Sequence, residues 1–375
     1  MGRKKVSATT STYLELLRAG LWNRPAAISA PFKLKEMLYL AANQSTTPLI
    51  CKAVLNIPGA KISPAYEERM QEIVRTCRRS HESANSVIGI VCDELSRAGI
   101  RAVLLKGQGI ASYYPTPEIR QAGDIDLYVG REKYDEACAI LGKMFGAPTG
   151  ESDKHAGFHV GGTLELELHR FTETLSRAAA DKYYQRISDK GTTTNLVTVS
   201  LGDDEVLTPE DNFNAFFIFN HLWEHTRSMG IGIRQLCDWA VFLKSHAGKL
   251  DAERLDAWLE DLDLLDVWQV FGCAAALSLA LPEDCIPLYD SSKEKRGRRL
   301  VEFIINQGDN REFKHGRKEM GKLRHKLGSL GFIFTRFLRF SSIFPGKAFV
   351  QLCADIKAGI AKIFTIFVNP SKTRT

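Results

Sequence analysis

Eight cysteines are scattered through the 375 residues, and no two of them form a C-x-x-C pair. That spacing excludes a readable zinc ribbon or disulfide framework. Cys51, Cys77, Cys92, Cys138, Cys237, Cys273, Cys285 and Cys353 are expected as small buried apolar groups in a reducing compartment. No apolar run is long enough to span a bilayer, and the basic start MGRKKVSATTSTYLELL lacks the apolar stretch of a secretory signal. The expected location is therefore the cytoplasm. No internal repeat or low-complexity tract is present. Acidic residues are scarce in one region only. Residues 311–375 carry 14 Lys+Arg against 3 Asp+Glu, leaving 36 against 41 for residues 1–310, so the formal net charge of +6 belongs to the tail.

With 44% hydrophobic and 25% charged residues, the composition is that of an ordinary globular protein, long enough for two domains or one large one. The stretch that organises it is RAVLLKGQGIASYYPTPEIRQAGDIDLYVG, from Arg101 onward. A short β-rich run at 101–105 ends in Lys106, Gly107, Gln108 and Gly109, where backbone can approach an anionic ligand closely because little side chain intervenes. Then comes Asp124-Ile125-Asp126-Leu127-Tyr128-Val129. Alternate residues of a strand share a face about 6.6–7 Å apart, which points Asp124 and Asp126 the same way and Ile125 and Leu127 into a core. Neighbouring carboxylates repel unless a cation lies between them. Hard oxygen ligands, with substrate phosphates completing the shell, suit Mg²⁺ or Mn²⁺.

A strand, a Lys-Gly turn, a helix, a Tyr-Pro segment, Arg120 and then Gly-Asp-Ile-Asp-Leu together resemble the uncharacterised bacterial nucleotidyltransferases of the DNA polymerase β-like superfamily. The resemblance implies an α+β fold, a mixed sheet flanked by helices. It also implies two metals held by the D-x-D pair and by a third carboxylate on a neighbouring strand. Residues 163–169, TLELELH, supply candidates: Leu164, Leu166 and Leu168 form one face, and Glu165, Glu167 and His169 the other. Glu167 is favoured because it stands two residues before His169, as in the family's acidic-x-His pattern. The superfamily turn normally reads Gly-Ser; here Gln108 follows Gly107. The triphosphate contacts then fall to Lys106 or to backbone N–H groups from Gln108 onward. Arg120 has two readings, a phosphate contact or an ion pair anchoring the Asp-x-Asp strand. Tyr113 and Tyr114 are read as packing or as a platform for a base, and His169 as a phosphate contact or a second-sphere partner.

The remaining chain reads as scaffold. Helices are expected at 11–21, 32–42 and 64–98, the last in one or two pieces. A hairpin is expected across Gly161-Gly162, then helix at 172–187 and a β excursion at 195–207 turning at Gly202-Asp203. Thr208-Pro209-Glu210-Asp211 reads as a helix start, with Thr208 as the capping hydroxyl. That helix carries His221 and His225 one turn apart, expected to look into the cleft rather than to bind zinc, with Arg234 and Asp238 pairing opposite. KEKRGRR at 293–299 reads as a basic linker. The division is 1–99 helical scaffold, 100–207 catalytic core, 208–292 helical subdomain and 293–375 basic aromatic-rich tail. The tail has three readings in order: a solvated or partly packed face, peripheral membrane contact through 327–375, or nucleic-acid contact.

The expected activity is metal-dependent transfer of an NMP group from an NTP to an acceptor hydroxyl. The acceptor is a small molecule, a protein or an RNA end, and nothing in the sequence chooses among them. Asp124, Asp126 and Glu167 hold the metal, and Lys106, Gly107, Gln108, Arg120 and His169 line the nucleotide site. The reading from another class is a non-catalytic nucleotide- or partner-binding protein that keeps the fold.

Overall fold

The computed structural model describes residues 8–28, 31–162, 164–228, 230–307 and 337–348. Four helices come first: α1 (Ala8–Leu21), α2 (Leu34–Asn43), α3 (Thr47–Leu55) and α4 (Pro64–Arg97). Pro48 and Pro64 stand in the first turns of α3 and α4, where a missing N–H costs nothing. The α4 helix is one unbroken span of 34 residues, closed at Gly99 with φ +70°.

The sheet-forming region follows, with β1 (Val103–Leu104), the single-turn α5 (Gln108–Ala111), β2 (Ile125–Tyr128), α6 (Tyr134–Phe145), β3 (Gly150–Glu151), β4 (His155–Gly161) and β5 (Leu164–His169). These strands form one mixed sheet in the order β1-β2-β5-β4-β3. β2 and β5 run parallel, and the other neighbours are antiparallel. After α7 (Ala178–Gly191), β6 (Val197–Leu201) and β7 (Asp204–Thr208) make a separate two-stranded hairpin. Then come α8 (Asp211–Ser228), α9 (Ile233–Ser245), α10 (Ala252–Asp261), α11 (Leu265–Leu279) and α12 (Glu294–Gln307).

Among the described residues two hydrophobic cores result. Ile125, Leu127, Ala156, Phe158, Leu166 and Leu168 put one face of the sheet against Ile88, Val91 and Leu95 of α4, Leu141 of α6, and the β6–β7 hairpin. The larger core joins α1–α3 to α8–α12, centred on Trp239, Trp268, Phe219 and Phe271. It draws on residues that the four-part division expected from sequence assigns to the scaffold, the helical subdomain and the tail. Arg18 of α1 and Trp22 just after it donate to carbonyls at the end of α11, and the buried Gln44 bonds both Ile233 N of α9 and Ile304 O of α12.

Three local expectations are corrected. Residues 172–177 are not helical: the buried Thr172 hydroxyl bonds Tyr184 and Ser188, and Leu175 N donates to Asp181, wrapping the segment back over α7. Thr208 closes β7 and donates to Val197 O, while Glu210 caps α8 by accepting from Phe213 N. The basic run at 293–299 is no linker. Most of it lies in α12, where Arg296 makes a bidentate pair with Asp266 and Gly297 lets the helix approach Cys273 and Ala274 of α11.

In the aromatic-rich tail, Phe340 and Phe344 are buried, packed on Trp223 and, for Phe344, Phe271. The rest of the proposed membrane-contact segment, 327–336 and 349–375, lies outside the described residues. No helix among the described residues is long and apolar enough to cross a membrane.

Candidate functional site

Asp126, Glu167, His169 and His155 lie on the face of the sheet opposite the α4 core, because β2, β4 and β5 place their apolar alternates on the other side. The parallel β2–β5 pairing sets Asp126 directly beside Glu167, and Tyr128 beside His169. The antiparallel β4–β5 pairing then sets His155 opposite His169 and Gly157 opposite Glu167. Partner residues on adjacent strands lie roughly 5 Å apart, so the register alone brings two carboxylates and two imidazoles together.

Lys106 enters from the end of β1. Leu105 N bonds Asp126 O at 3.0 Å, and Lys106 Nζ lies 3.0 Å from Asp126 Oδ1. His169 Nε2 donates to the same oxygen at 3.0 Å and lies 3.3 Å from Glu167 Oε2, while His155 Nε2 is 3.7 Å from Glu167 Oε1. Asp126 and His169 are buried; Glu167 and His155 have side chains 30% and 31% exposed, leaving the cluster open on one side. Burial pushes the Asp126 carboxyl up, but the Lys106 charge and the His169 hydrogen bond outweigh it and hold the group well below the usual carboxylate range. Glu167 is also lowered, first by His169, with burial and Asp126 opposing. Burial lowers His155 against the pull of Glu167. At neutral pH both acids are ionised.

The Lys-Gly turn is positioned by conformation. Gly107 has φ +61° and ψ −114°, and a Cβ there would come 3.4 Å from the Asp124 carbonyl oxygen. The positive φ is what calls for glycine; a Cβ at 3.4 Å would be in ordinary contact. Asp124 itself precedes β2 and is exposed.

Gln108 does not turn toward this cluster. Its side chain is buried, with the amide 2.9 Å from His81 Nδ1 and 2.7 Å from Asn85 Oδ1, tying α5 to α4. Nor is Arg120 open to a phosphate. Its guanidinium is buried and donates to both carboxylate oxygens of Asp238 at 2.8 and 2.9 Å, and Tyr114 donates to Asp238 Oδ1 at 2.6 Å. The neighbouring Arg234 donates to Gln121 O at 2.8 Å. Arg234, whose charge also lowers Asp238, and Asp238 thus form two arms of α9 that grip residues 120–121, four and three positions ahead of Asp124. Tyr113 packs edge-on against Phe242 and His246.

Glu165 lies beside His159 and Thr149 on the wet margin of the sheet, away from Asp126. His221 and His225 on α8 have ring centroids 4.3 Å apart. Burial and then the nearby charges of Lys106 and His225 hold His221 well below its ordinary basicity, keeping it neutral.

Residues 30–278 match a family of proteins described as uncharacterised nucleotidyltransferases. The chain belongs to this nucleotidyltransferase family. No curated protein and no solved structure matches it. The matched span contains both β2 and β5, and so every residue of the cluster just described, together with the α9 grip. Among the described residues, the group with metal-binding geometry is His155, Glu167 and His169, whose ligand atoms lie within 4.8 Å of one another. His155 was missed from the sequence. A hairpin counted back from Gly161 opposite Leu164 would pair His155 with Arg170. The irregularity between His159 and Gly161 shifts the register by one and pairs it with His169 instead.

Proposed function

We propose that the chain is a metal-dependent nucleotidyltransferase that moves an NMP group from an NTP to an acceptor hydroxyl and releases pyrophosphate. The observation that carries this reading is the adjacency of Asp126 and Glu167 on parallel strands, with Lys106 at 3.0 Å from Asp126. The donor set fits a divalent cation: both acids are ionised, they share one face of the sheet, and Glu167 remains partly open to solvent.

Asp124, Asp126 and Glu167 are the residues that would hold Mg²⁺ or Mn²⁺. When bound, the cation supplies charge neutralisation for the phosphates and for the leaving pyrophosphate. Lys106 lies beside Asp126 and contributes a fixed positive charge near the triphosphate. Gly107 keeps the turn close to the Asp124 backbone. His169 orients Asp126 and Glu167 through its Nε2, and Glu167, the more exposed acid, assists removal of the acceptor proton. Arg120 and Gln108 act at a distance, by fixing the segments that precede β2 and follow β1. A small-molecule hydroxyl, a protein side chain and an RNA end remain the candidate acceptors.

The test is incubation of the purified chain with labelled NTPs and Mg²⁺, followed by mass spectrometry for self-modification or for transfer to added acceptors. Label incorporation that disappears in Asp124→Ala/Asp126→Ala supports the reading. Nucleotide binding without turnover in the wild type would instead favour a non-catalytic nucleotide-binding role.

A further inference from the structure

We infer that His155, Glu167 and His169 form a site for a zinc-class divalent ion, distinct in chemistry from a magnesium site. The inference rests on the transferase reading only for what the ion would serve, since Glu167 belongs to both sets.

The first ground is the donor set. Two imidazoles and one carboxylate are ligands that zinc and its neighbours accept readily, whereas magnesium prefers oxygen throughout. Two His and one Glu, with a further position open, is a recurrent arrangement for accessible zinc. The second ground is spacing. Ligand atoms each about 2.0–2.1 Å from a tetrahedral ion stand roughly 3.3–3.4 Å apart, against about 2.9 Å for neighbours around an octahedral one. Here one ligand atom from each of His155, Glu167 and His169 lies within 4.8 Å of the others. Rotation of the side chains inward, with His169 releasing its Nε2 hydrogen bond to Asp126, would close the set.

A third ground is unspent bonding capacity. Nδ1 of His155 and Nδ1 of His169 are both buried without a hydrogen-bond partner among the described residues. Buried ring nitrogens are ordinarily satisfied, and with the His169 Nε2–H given to Asp126 the unpartnered Nδ1 is the nitrogen of that ring with a lone pair to offer an ion. The fold supports access as well. His155 is opposite His169 in the β4–β5 register, and the residue opposite Glu167 is Gly157, which has no side chain to cover the carboxylate. His155 and Glu167 stay partly exposed on that side, while the buried His169 forms the floor.

Co²⁺ is the probe, because a tetrahedral cobalt site absorbs visible light far more strongly than an octahedral one. Metal-stripped full-length chain is titrated with Co²⁺, then with Zn²⁺ in competition, alongside His155→Ala and His155→Gln. The expected result is one equivalent bound with intense visible bands, displaced by Zn²⁺, and an affinity at least tenfold weaker in both variants. Weak, octahedral-type absorption in the wild type, or binding unchanged in a folded His155→Gln, overturns the inference. Should His155→Ala fail to fold, His155→Gln decides alone, with Glu167→Gln as the second variant. Nucleotide transfer with Mg²⁺ is measured on the same samples. A chain that transfers nucleotide but shows no tetrahedral Co²⁺ overturns this inference and leaves the transferase reading standing. A chain that takes up Co²⁺ through His155 without transferring supports the inference and counts against that reading.

Discussion

Replacing Asp238 by asparagine removes the counter-charge of Arg120 while preserving the shape of the side chain. Arg120 is 4% exposed, its Nη1 already lacks a partner, and both of its bonds to side chains go to Asp238. An arginine left buried without its carboxylate costs about 3–5 kcal/mol. Against a total stability of roughly 5–15 kcal/mol, that is a large share. Urea denaturation should show a lower midpoint at unchanged slope. The double substitution Arg120→Met/Asp238→Leu should recover part of the loss, because a buried ion pair replaced by apolar groups is often close to neutral. A residual cost of about 1–3 kcal/mol is expected from the Tyr114 hydroxyl, which loses its acceptor.

The same pair has a pH signature. Burial pushes Asp238 up, but the charge and hydrogen bonds of Arg120, with Arg234 and Tyr114, hold its carboxyl below the usual range. A depressed folded value means the contribution is fully present above the unfolded value of about 3.9 and is lost as pH falls below it toward the folded value. Wild-type and Asp238→Asn stabilities should therefore differ most at neutral pH and converge in acid. A loss below about 1 kcal/mol at pH 7, the size of an exposed pair, would refute the reasoning.

Gly107→Ala forces a Cβ onto a residue at φ +61° facing the Asp124 carbonyl, so it should cost about 1–3 kcal/mol and weaken Mg²⁺-dependent nucleotide binding, read by calorimetry; unchanged values for both would show the turn is not constrained. Lys106→Met keeps the stem and removes the charge beside Asp126, and the proposed function predicts a fall of about 10²–10³-fold in transfer rate, with a change under about threefold counting against a phosphate role. Gly297→Ala gains about 1 kcal/mol of helix propensity, yet the new Cβ would stand 2.6 Å from Cys273 Cβ and 2.9 Å from Ala274 N, contacts that neither helix can relieve without moving. Overpacking of about 1–3 kcal/mol should prevail, lowering the melting temperature; a raised one would show that α11 and α12 part easily.

How far the site could be read from sequence depended on the range of each interaction. Asp126, Glu167 and His169 were accessible because strand alternation is a local property, and alternation alone assigns Leu164, Leu166 and Leu168 to the core side. The long amphipathic α4 and the hairpin of β4 and β5 were legible for the same reason. Gln108 and Arg120 were not, although they sit in the most informative stretch of the chain. Their roles depend on His81 and Asn85, 27 and 23 residues earlier, and on Asp238, 118 residues later, so no local pattern points to a buried partner rather than an open ligand site. The α9 helix makes the reason plain. Arg234 and Asp238 are one turn apart and, read along the helix, look like an ordinary ion pair. In three dimensions each also bonds the segment before β2, and the arrangement ties a helix outside the sheet to the residues just ahead of the Asp-x-Asp segment. Substitutions on α9 should then alter nucleotide binding without touching a ligand-facing residue, an effect that separates positioning of Asp124 from direct contact with phosphate: Arg234→Met, which releases Gln121 O, should raise the dissociation constant for Mg²⁺–NTP while leaving the affinity of the His155 site for Co²⁺ unchanged.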